Sequence, residues 1–401
     1  MRILMISDVY FPRVNGVSTS IQTFRADLLA QGHRCVLVAP AYPGTGEDDG
    51  EAVIRIHSRA VPRDPDDRLF SRSRLLALTA QLRGERFDLV HVQTPFVAHY
   101  AGIELARRLA LPVVESYHTY FEHYLHHYVP ALPPRLLQAL ARRFTVSQCR
   151  QVDAVISPSQ QMADALVAYG VSTPIKVLPT GLPAERFASG EGARFRSRHG
   201  IAARRPIALF LGRVAHEKNI DFLVRMLVEL RVRVPDVLLV IAGEGPAEGH
   251  CRALVESLGL TPNVMFVGYL DRRGGLGDCY RAADVFVFAS RTETQGLVLL
   301  EAMAQGTPVV STAVMGTVDV LAGAGGAVVA PEDEFAFAAA VADVLADPAR
   351  RADLSVCALQ HARRWSSRVM AERLVELYGA VLERRRAMVP AALPVAQGGV
   401  A

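Results

Sequence analysis

Lysine is almost missing from this 401-residue chain: of 44 basic side chains only Lys176 and Lys218 are lysines, and the other 42 are arginines. That bias accompanies a richness in alanine and is compositional, so it singles out each lysine. Cysteine is scarce too. Cys35, Cys149, Cys251, Cys279 and Cys357 stand far apart with no Cys-x-x-Cys pair, which excludes a disulfide scaffold and a cysteine-only zinc site and favours a reducing cytoplasm. No stretch of eighteen apolar residues occurs without a charge, so no membrane-spanning helix is expected. The opening MRILMISDVYFP soon meets Asp8 and Pro12, the pattern of a buried strand and not of a secretion signal. There is no Walker A sequence, which leaves P-loop ATP hydrolysis unsupported. A net charge of +4 is small for this length, and no aromatic and basic platform accompanies it, so no nucleic-acid partner is expected.

What is present is alternation. Half of the residues are apolar, and short apolar runs at 3–7, 35–39, 89–92, 113–116, 154–157 and 175–178 are separated by helical stretches such as 18–31, 97–109 and 160–169. The same alternation resumes with strands at 207–211, 237–242, 264–267, 285–289, 308–311 and 327–329. Their helices fall near 219–231, 247–258, 296–305 and 335–346. Strands alternating with helices predict an α/β architecture with parallel sheets. The break between the two series, LPAERFASGEGARFRSRHGIAARR, is polar and rich in glycine and arginine and reads as the connection between domains. The expected division is a first doubly wound domain over 1–183, a linker over 184–205 and a second domain over 206–366. A final helix follows at about 367–388, with Met370, Leu374, Leu377 and Val381 at helical spacing, and the tail 389–401 reads as disordered. Ligands of such domains bind outside the carboxyl ends of the strands, in the cleft between two facing domains.

Chemistry-bearing residues collect at those ends. Asn15-Gly16 lies between the first strand and its helix, where a glycine lets backbone approach a ligand and a helix start offers N–H groups to an anion; an ordinary tight turn fits the same fragment. Gly243-Glu244-Gly245-Pro246 follows a strand, but its spacing is not that of a dinucleotide loop, and Pro246 is suited to begin a helix. Gly212-Arg213-Val214-Ala215-His216-Glu217-Lys218-Asn219 sets a guanidinium and an ammonium at a strand end, a pair suited to a diphosphate. Ser290-Arg291-Thr292-Glu293-Thr294-Gln295-Gly296-Leu297 then leads into a helix bearing Glu301. Among Leu299, Leu300, Ala302 and Met303 that carboxylate requires hydrogen-bond donors, which a vicinal ribose diol supplies. The N–H groups near Thr294–Leu297 suit a phosphate. His118 stands just past a strand of the first domain, where it either hydrogen-bonds a sugar hydroxyl or is a satisfied structural histidine.

Residues 123–152 contain no acidic side chain but hold Arg135, Arg142, Arg143 and Arg150, with Leu136, Leu137, Leu140 and Phe144 at helical spacing. A basic amphipathic helix over 133–150 either lies on an anionic bilayer or packs Leu136, Leu140 and Phe144 on its own sheet. His123, His126 and His127 lack a further separated ligand, so no metal site is expected.

Taken together and in this order, Asn15-Gly16, Gly212-Arg213…Lys218, Gly243-Glu244-Gly245-Pro246 and the Glu293…Glu301 pair resemble the retaining glycosyltransferases of family 4, which have the GT-B fold: two Rossmann-like domains facing across a cleft, with a C-terminal helix crossing back to the first. FPRVNGVSTSI, YHTYFEHYLHHY and TETQGLVLLEAMA resemble the branch that glycosylates membrane lipids, glucosyl-diacylglycerol enzymes nearest among them. The resemblance implies that Arg213 and Lys218 hold the donor diphosphate and that Glu301 binds the nucleotide ribose. Glu293, Thr294, Gln295, Gly296 and Leu297 hold the transferred sugar and distal phosphate, with Gly243 and Gly245 beside the nucleotide. Gly16 approaches from the other domain, and His118 contacts the sugar near the reacting carbon. It also implies a nucleotide-sugar donor, UDP-glucose favoured and a GDP-sugar such as GDP-mannose the alternative, with no metal or other cofactor. The acceptor is a lipid such as diacylglycerol, and the enzyme is peripheral on the inner face of the cell membrane. A soluble-acceptor transferase, a sugar-nucleotide epimerase or phosphorylase on the same fold, and an inactive nucleotide-sugar-binding module are the other readings. Gly274-Gly275 departs from the family pattern and is expected to loosen the helix that follows.

Overall fold

A computed structural model describes residues 1–44, 52–61, 64–118, 134–187, 190–270 and 275–388. Strands β1 (Arg2–Ile6), β2 (Arg34–Pro40) and β3 (Val53–Ile56) precede an antiparallel pair, β4 (Ser58–Val61) and β5 (Asp64–Phe70). The first series continues with β6 (Leu89–Val92), β7 (Val113–Ser116), β8 (Ala154–Ser157) and β9 (Ile175–Val177). The second consists of β10 (Ile207–Leu211), β11 (Leu238–Ala242), β12 (Val264–Gly268), β13 (Val285–Phe288), β14 (Val309–Ser311) and β15 (Ala327–Val329). All but β4 and β5 form two sheets, ordered β3-β2-β1-β6-β7-β8-β9 and β12-β11-β10-β13-β14-β15, and neighbouring strands within both pair in parallel.

In each sheet the first strand of the series lies between the second and a later one, so the order reverses at β1 and at β10. Helices on opposite faces diverge there and open a crevice beyond the strand ends. The loops after β1, β6, β10 and β13 therefore line the two crevices; three of them carry motifs, at Asn15-Gly16, residues 213–218 and residues 293–297, while His118 follows β7 and the glycine pair of 243–246 follows β11.

Helices cover both faces of each sheet, so the strands are buried on both sides and read as continuous apolar runs. In the second domain they share one contiguous core. In the first, the two faces carry separate cores. The helix Ser367–Met388 crosses back to one of these, burying Met370, Ala371, Leu374, Tyr378 and Val381 beside Ile21, Phe24 and Leu28 of the helix Gly16–Ala30.

Three features differ from the sequence reading. Within 184–205 the helix Gly192–Arg198 packs against the second domain, with Phe195 and Ile201 in its core. The Asp278 carboxylate fixes it by accepting the Glu191 N–H at 2.7 Å and pairing with Arg194. Gly275 does not loosen its helix, because Gly275–Ala282 forms and buries Leu276, Cys279 and Tyr280; Gly274 lies outside the described residues. The helix Pro134–Cys149 buries Leu137, Ala141 and Cys149 with Phe144 partly covered, whereas Leu136 and Leu140, which one of the two readings packs on the sheet, are each 47% exposed. The tail 389–401, the histidines of 123–127 and the side chain of Arg135 lie outside the described residues.

Candidate active site

At the end of β10 the chain turns through Arg213 to a short 3-10 turn, His216–Lys218. Two hydrogen bonds tie this loop to the one after β11: the Gly212 N–H donates to Ala242 O and the Val214 N–H to Glu244 O, both at 3.0 Å. Gly243 permits that approach. Its φ is +127°, and a Cβ there would stand 1.9 Å from the Gly212 carbonyl oxygen. Gly245 lies equally close to Val214, so both glycines hold backbone against backbone and thereby shape the loop that carries the cations. Arg213 is exposed, with no hydrogen bond or ion pair to a described residue. Lys218 Nζ reaches across and pairs with the Glu293 carboxylate. Asn219, in the left-handed conformation at φ +57°, aims its amide at Ala289 O (3.2 Å) and Glu332 Oε1 (3.1 Å). The loops after β10 and β13 are thus joined on both sides of Lys218.

The β13 loop is held in turn by the Gly316 N–H, which donates to Glu293 O at 2.9 Å. Gly296 at φ +86° turns the chain into the helix Leu297–Ala304, whose first N–H groups have no partner inside it. Glu301 lies half-buried on this helix. One carboxylate oxygen accepts a hydrogen bond from the buried Tyr280 hydroxyl at 3.1 Å, and the other takes none from a described residue. The donors expected from the sequence are therefore partly the protein's own. Tyr280 could not be found from spacing, since it lies 21 positions away on another helix.

On the first domain Asn15 caps the helix Gly16–Ala30 by accepting from the Ser18 N–H at 2.8 Å. Gly16 is exposed, and a Cβ there would meet nothing within 4 Å, so the space above this helix end is open. His118 follows β7, half-buried, with its Nε2–H donating a long 3.4 Å bond to Gln93 Oε1 after β6. Burial pushes its pKa down to about 4, leaving a neutral imidazole whose Nδ1 is an acceptor. Nearby, Asp8 accepts from the Thr94 hydroxyl (2.8 Å) and from the Phe96 and Ala98 N–H groups (3.2 and 3.0 Å). Burial raises its pKa to about 6, opposed by those donors. Gln93 and Asp8 are not among the site candidates read from the sequence, because no local motif marks them.

Beside the donor loop the two domains meet where the Gln295 side chain bonds the Thr180 backbone and where the Gln160 N–H donates to Asp319 Oδ2 at 2.6 Å. No hydrogen bond joins His118 to Arg213, Lys218, Glu293 or Glu301. Among the described residues no group of three or more His, Cys, Asp and Glu side chains is placed to hold a metal ion, and no helix is long and apolar enough to cross a membrane.

Residues 14–186 match the family described as Glycosyltransferase Family 4, and residues 193–360 match Glycosyl transferases group 1. The chain is 33% identical to the alpha-monoglucosyldiacylglycerol synthase of Streptococcus pneumoniae over 78% of its own length and 71% of that protein. It is 32% identical to the GDP-mannose-dependent alpha-(1-6)-phosphatidylinositol monomannoside mannosyltransferase of Mycolicibacterium smegmatis over 96% of its length and all of that protein. Its fold is like that of HepE from Anabaena, solved with UDP and glucose, with a TM-score of 0.74 at 18% identity over 95% of this chain and 100% of that one. These matches and the paired parallel sheets make the chain a member of glycosyltransferase family 4 with the GT-B fold, a nucleotide-sugar-dependent hexosyltransferase.

Proposed function

We propose that the enzyme moves a glucosyl group from UDP-glucose to the hydroxyl of a membrane lipid such as diacylglycerol, with retained anomeric configuration and without a metal cofactor. The observation that carries the donor site is the Lys218–Glu293 pair at the β10/β13 crevice, with the exposed Arg213 on the same loop. Before donor binds, Lys218 is neutralised by Glu293. An arriving diphosphate takes the ammonium and the Arg213 guanidinium, and Glu293 is released to accept hydrogen bonds from sugar hydroxyls. The Thr294–Leu297 N–H groups at the helix start receive the distal phosphate. The oxygen of Glu301 that Tyr280 leaves open receives a ribose hydroxyl. Gly16 closes over the diphosphate from the first domain, and His118, neutral, accepts from a donor-sugar hydroxyl through Nδ1. Closure excludes water that would hydrolyse the donor. Fixed cations and helix N–H groups meet the charge that develops on the leaving diphosphate. That diphosphate takes the proton of the attacking hydroxyl as the glycosidic bond to it breaks and the new one forms.

The lipid acceptor is supported by the name of the Streptococcus pneumoniae relative and by one helix. Along Pro134–Cys149 and its end, Leu136, Leu140, Arg143, Ser147 and Arg150 are all exposed. Their spacing of four and three places them on one face, apolar first and basic after, a stripe suited to an anionic bilayer surface. Arg142, by contrast, lies over the Tyr169 ring at 5.2 Å. Co-sedimentation with anionic vesicles is expected for the native chain and is expected to fall with salt. Arg143→Glu with Arg150→Glu should reduce it at least ten-fold; unchanged co-sedimentation would remove this helix as the membrane contact. GDP-mannose as donor is the second reading, supported by the Mycolicibacterium smegmatis relative that the chain matches from end to end. Nucleotide sugars offered in turn with diacylglycerol vesicles, with products identified by mass spectrometry, decide between the two. Transfer from neither would overturn the donor assignment.

A further inference from the structure

Gln295 occupies an odd place for a donor-loop residue. Thr294 and Leu297 on either side of it are partly exposed, yet its own side chain is only 6% exposed and bonds to the other domain. The amide grips one residue with both ends: Nε2–H donates to Thr180 O at 2.7 Å, and Oε1 accepts from the Thr180 N–H at 2.9 Å. Thr180 continues the link, because its hydroxyl donates to Ser20 Oγ at 2.7 Å. Ser20 is itself buried, one turn inside the helix whose exposed start is Gly16.

Thr180 has little freedom to follow a moving partner. The next residue, Gly181, lies so close to the returning chain that a Cβ there would stand 2.4 Å from the Ser367 Cα. Leu182 then pairs with that chain: its N–H donates to Trp365 O at 2.7 Å, and the Ser367 N–H donates to Leu182 O at 2.9 Å. Both passages between the domains thus run side by side at this point. On the other side of Gln295, the donor loop is fixed to its own domain through Glu293 O and Gly316.

We propose that Gln295 is a positioning residue: its side chain ties the donor loop to the interdomain crossing and, through Thr180 and Ser20, to the helix that presents Gly16. The inference rests on the donor-site reading above. Opening or closing the cleft then moves the Thr294–Leu297 N–H groups and the Gly16 helix end about one shared point, so both reach the diphosphate in register. Asparagine is one methylene too short to keep both bonds at these distances. A leucine fills the space but strands a buried N–H and C=O, a costly loss.

The test uses the full chain and three variants, Gln295→Leu, Ser20→Ala and the two combined. Hydrogen exchange at the Thr180 amide should rise at least ten-fold in Gln295→Leu; an unchanged rate overturns the link whatever the activity. Binding of UDP and GDP is measured beside kcat and donor KM for transfer, and beside nucleotide release without acceptor. The expected result is a fall in kcat of ten-fold or more in Gln295→Leu, larger than the rise in donor KM, with a higher ratio of hydrolysis to transfer. Ser20→Ala, away from the donor loop, should show the same pattern more weakly with nucleotide binding kept, and the double variant should fall no further than Gln295→Leu. A loss confined to nucleotide binding, or a Ser20→Ala enzyme equal to the native one, would overturn the coupling. Failure of the native chain to bind either nucleotide would instead sink the donor-site reading, and Thr180 exchange would still decide the link.

Discussion

The two domains share a strand order but handle polar groups in opposite ways. In the second, the charges that matter stand in loops beyond the sheet, half-buried or exposed, and pair across loops: Lys218 with Glu293, Arg291 with Glu332. The core beneath them is one continuous cluster, and its buried charged groups, such as Asp278 against Arg194, lie on helices outside the sheet layer. In the first domain polar groups enter the sheet layer itself. His91 on β6 shares hydrogen bonds with Tyr378 (2.7 Å) on the crossing helix and with Ser116 (2.9 Å) on β7. His99 and Glu115 pair at 2.9 Å, both buried. One domain therefore offers permanent charge, suited to a diphosphate whose own charge is permanent. The other offers, at its strand-end edge, the His118 imidazole, held neutral by burial and suited to hydroxyls. A transferase that takes an anionic donor and an uncharged acceptor group needs both kinds of surface.

The sharpest way to break that contrast is to remove the permanent charge. Lys218→Ala should reduce kcat/KM for the donor by about 2–4 kcal/mol of transition-state stabilisation, roughly 30- to 1000-fold. Glu293 then keeps its charge with no ammonium beside it and repels the diphosphate. Steady-state kinetics with the preferred nucleotide sugar reads the effect. Near-native turnover would show that the pair is structural and that the diphosphate lies elsewhere.

Acid should separate the domains more gently. Burial, with the nearby His118 adding to it, pushes the His91 pKa down to about 3, below the ordinary 6.5, so the unfolded chain binds that proton first. Its contribution is complete above about pH 6.5 and is lost as pH falls toward 3. By pH 5 the loss is about 2 kcal/mol for His91 alone. His118 acts in the same direction, since its pKa of about 4 is also depressed by burial. Asp8 opposes both: with its pKa raised to about 6, its protonation favours the folded state, a contribution full below 3.8 and lost as pH rises through 6. The net expectation is a first domain that melts at lower temperature at pH 5 than at pH 7, with a smaller fall in the second domain, where burial lowers the His361 pKa. Calorimetry over that range reads it, and His91→Gln should flatten the dependence. A melting temperature that holds or rises on acidification would show that the buried histidines do not govern it.

Legibility in the sequence follows the same division. The residues proposed for the donor, Arg213, Lys218, Glu293 and Glu301, stand in loops after strands or on the helix that follows one, a position the sequence marks, and the strands at 89–92, 113–116, 154–157, 207–211 and 327–329 formed where alternation put them. The first domain's polar groups could not be read, because their partners are remote: His91 and Tyr378 are 287 positions apart, and Asp8 and Thr94 are 86 apart. Strands β3 to β5 went unread because the eleven Asp, Glu and Arg residues between 45 and 71 leave no apolar run longer than three residues. The helix Pro348–Arg363 was missed because it buries only Ala358, His361 and Ala362, too few for an apolar stripe. Its start was nevertheless written in Asp347-Pro348, where the aspartate accepts the Arg350 N–H at 3.0 Å. Leu136 and Leu140 show the converse, since a helix apolar on two faces does not announce which one packs.

The smallest expected effect tests a polar contact at the margin of the second domain's core. Tyr280 is 1% exposed, and its hydroxyl donates to Glu301, so the protein, and not the ligand, fixes that carboxylate's orientation. Tyr280→Phe keeps the ring against Phe286, whose centroid lies 5.6 Å away, and removes only the donor. Glu301 is half-buried and its lost partner is replaceable by water, so the change should be near the low end for a hydrogen bond to a charged group, about 1 kcal/mol. Donor KM should rise roughly five-fold with kcat nearly constant, because the ribose contact is made equally in the ground and transition states. The free nucleotide should weaken by the same factor in equilibrium binding. If kcat falls instead while nucleotide affinity holds, Glu301 acts on the transferred sugar and not on the ribose, and the division of labour between Glu293 and Glu301 must be reversed.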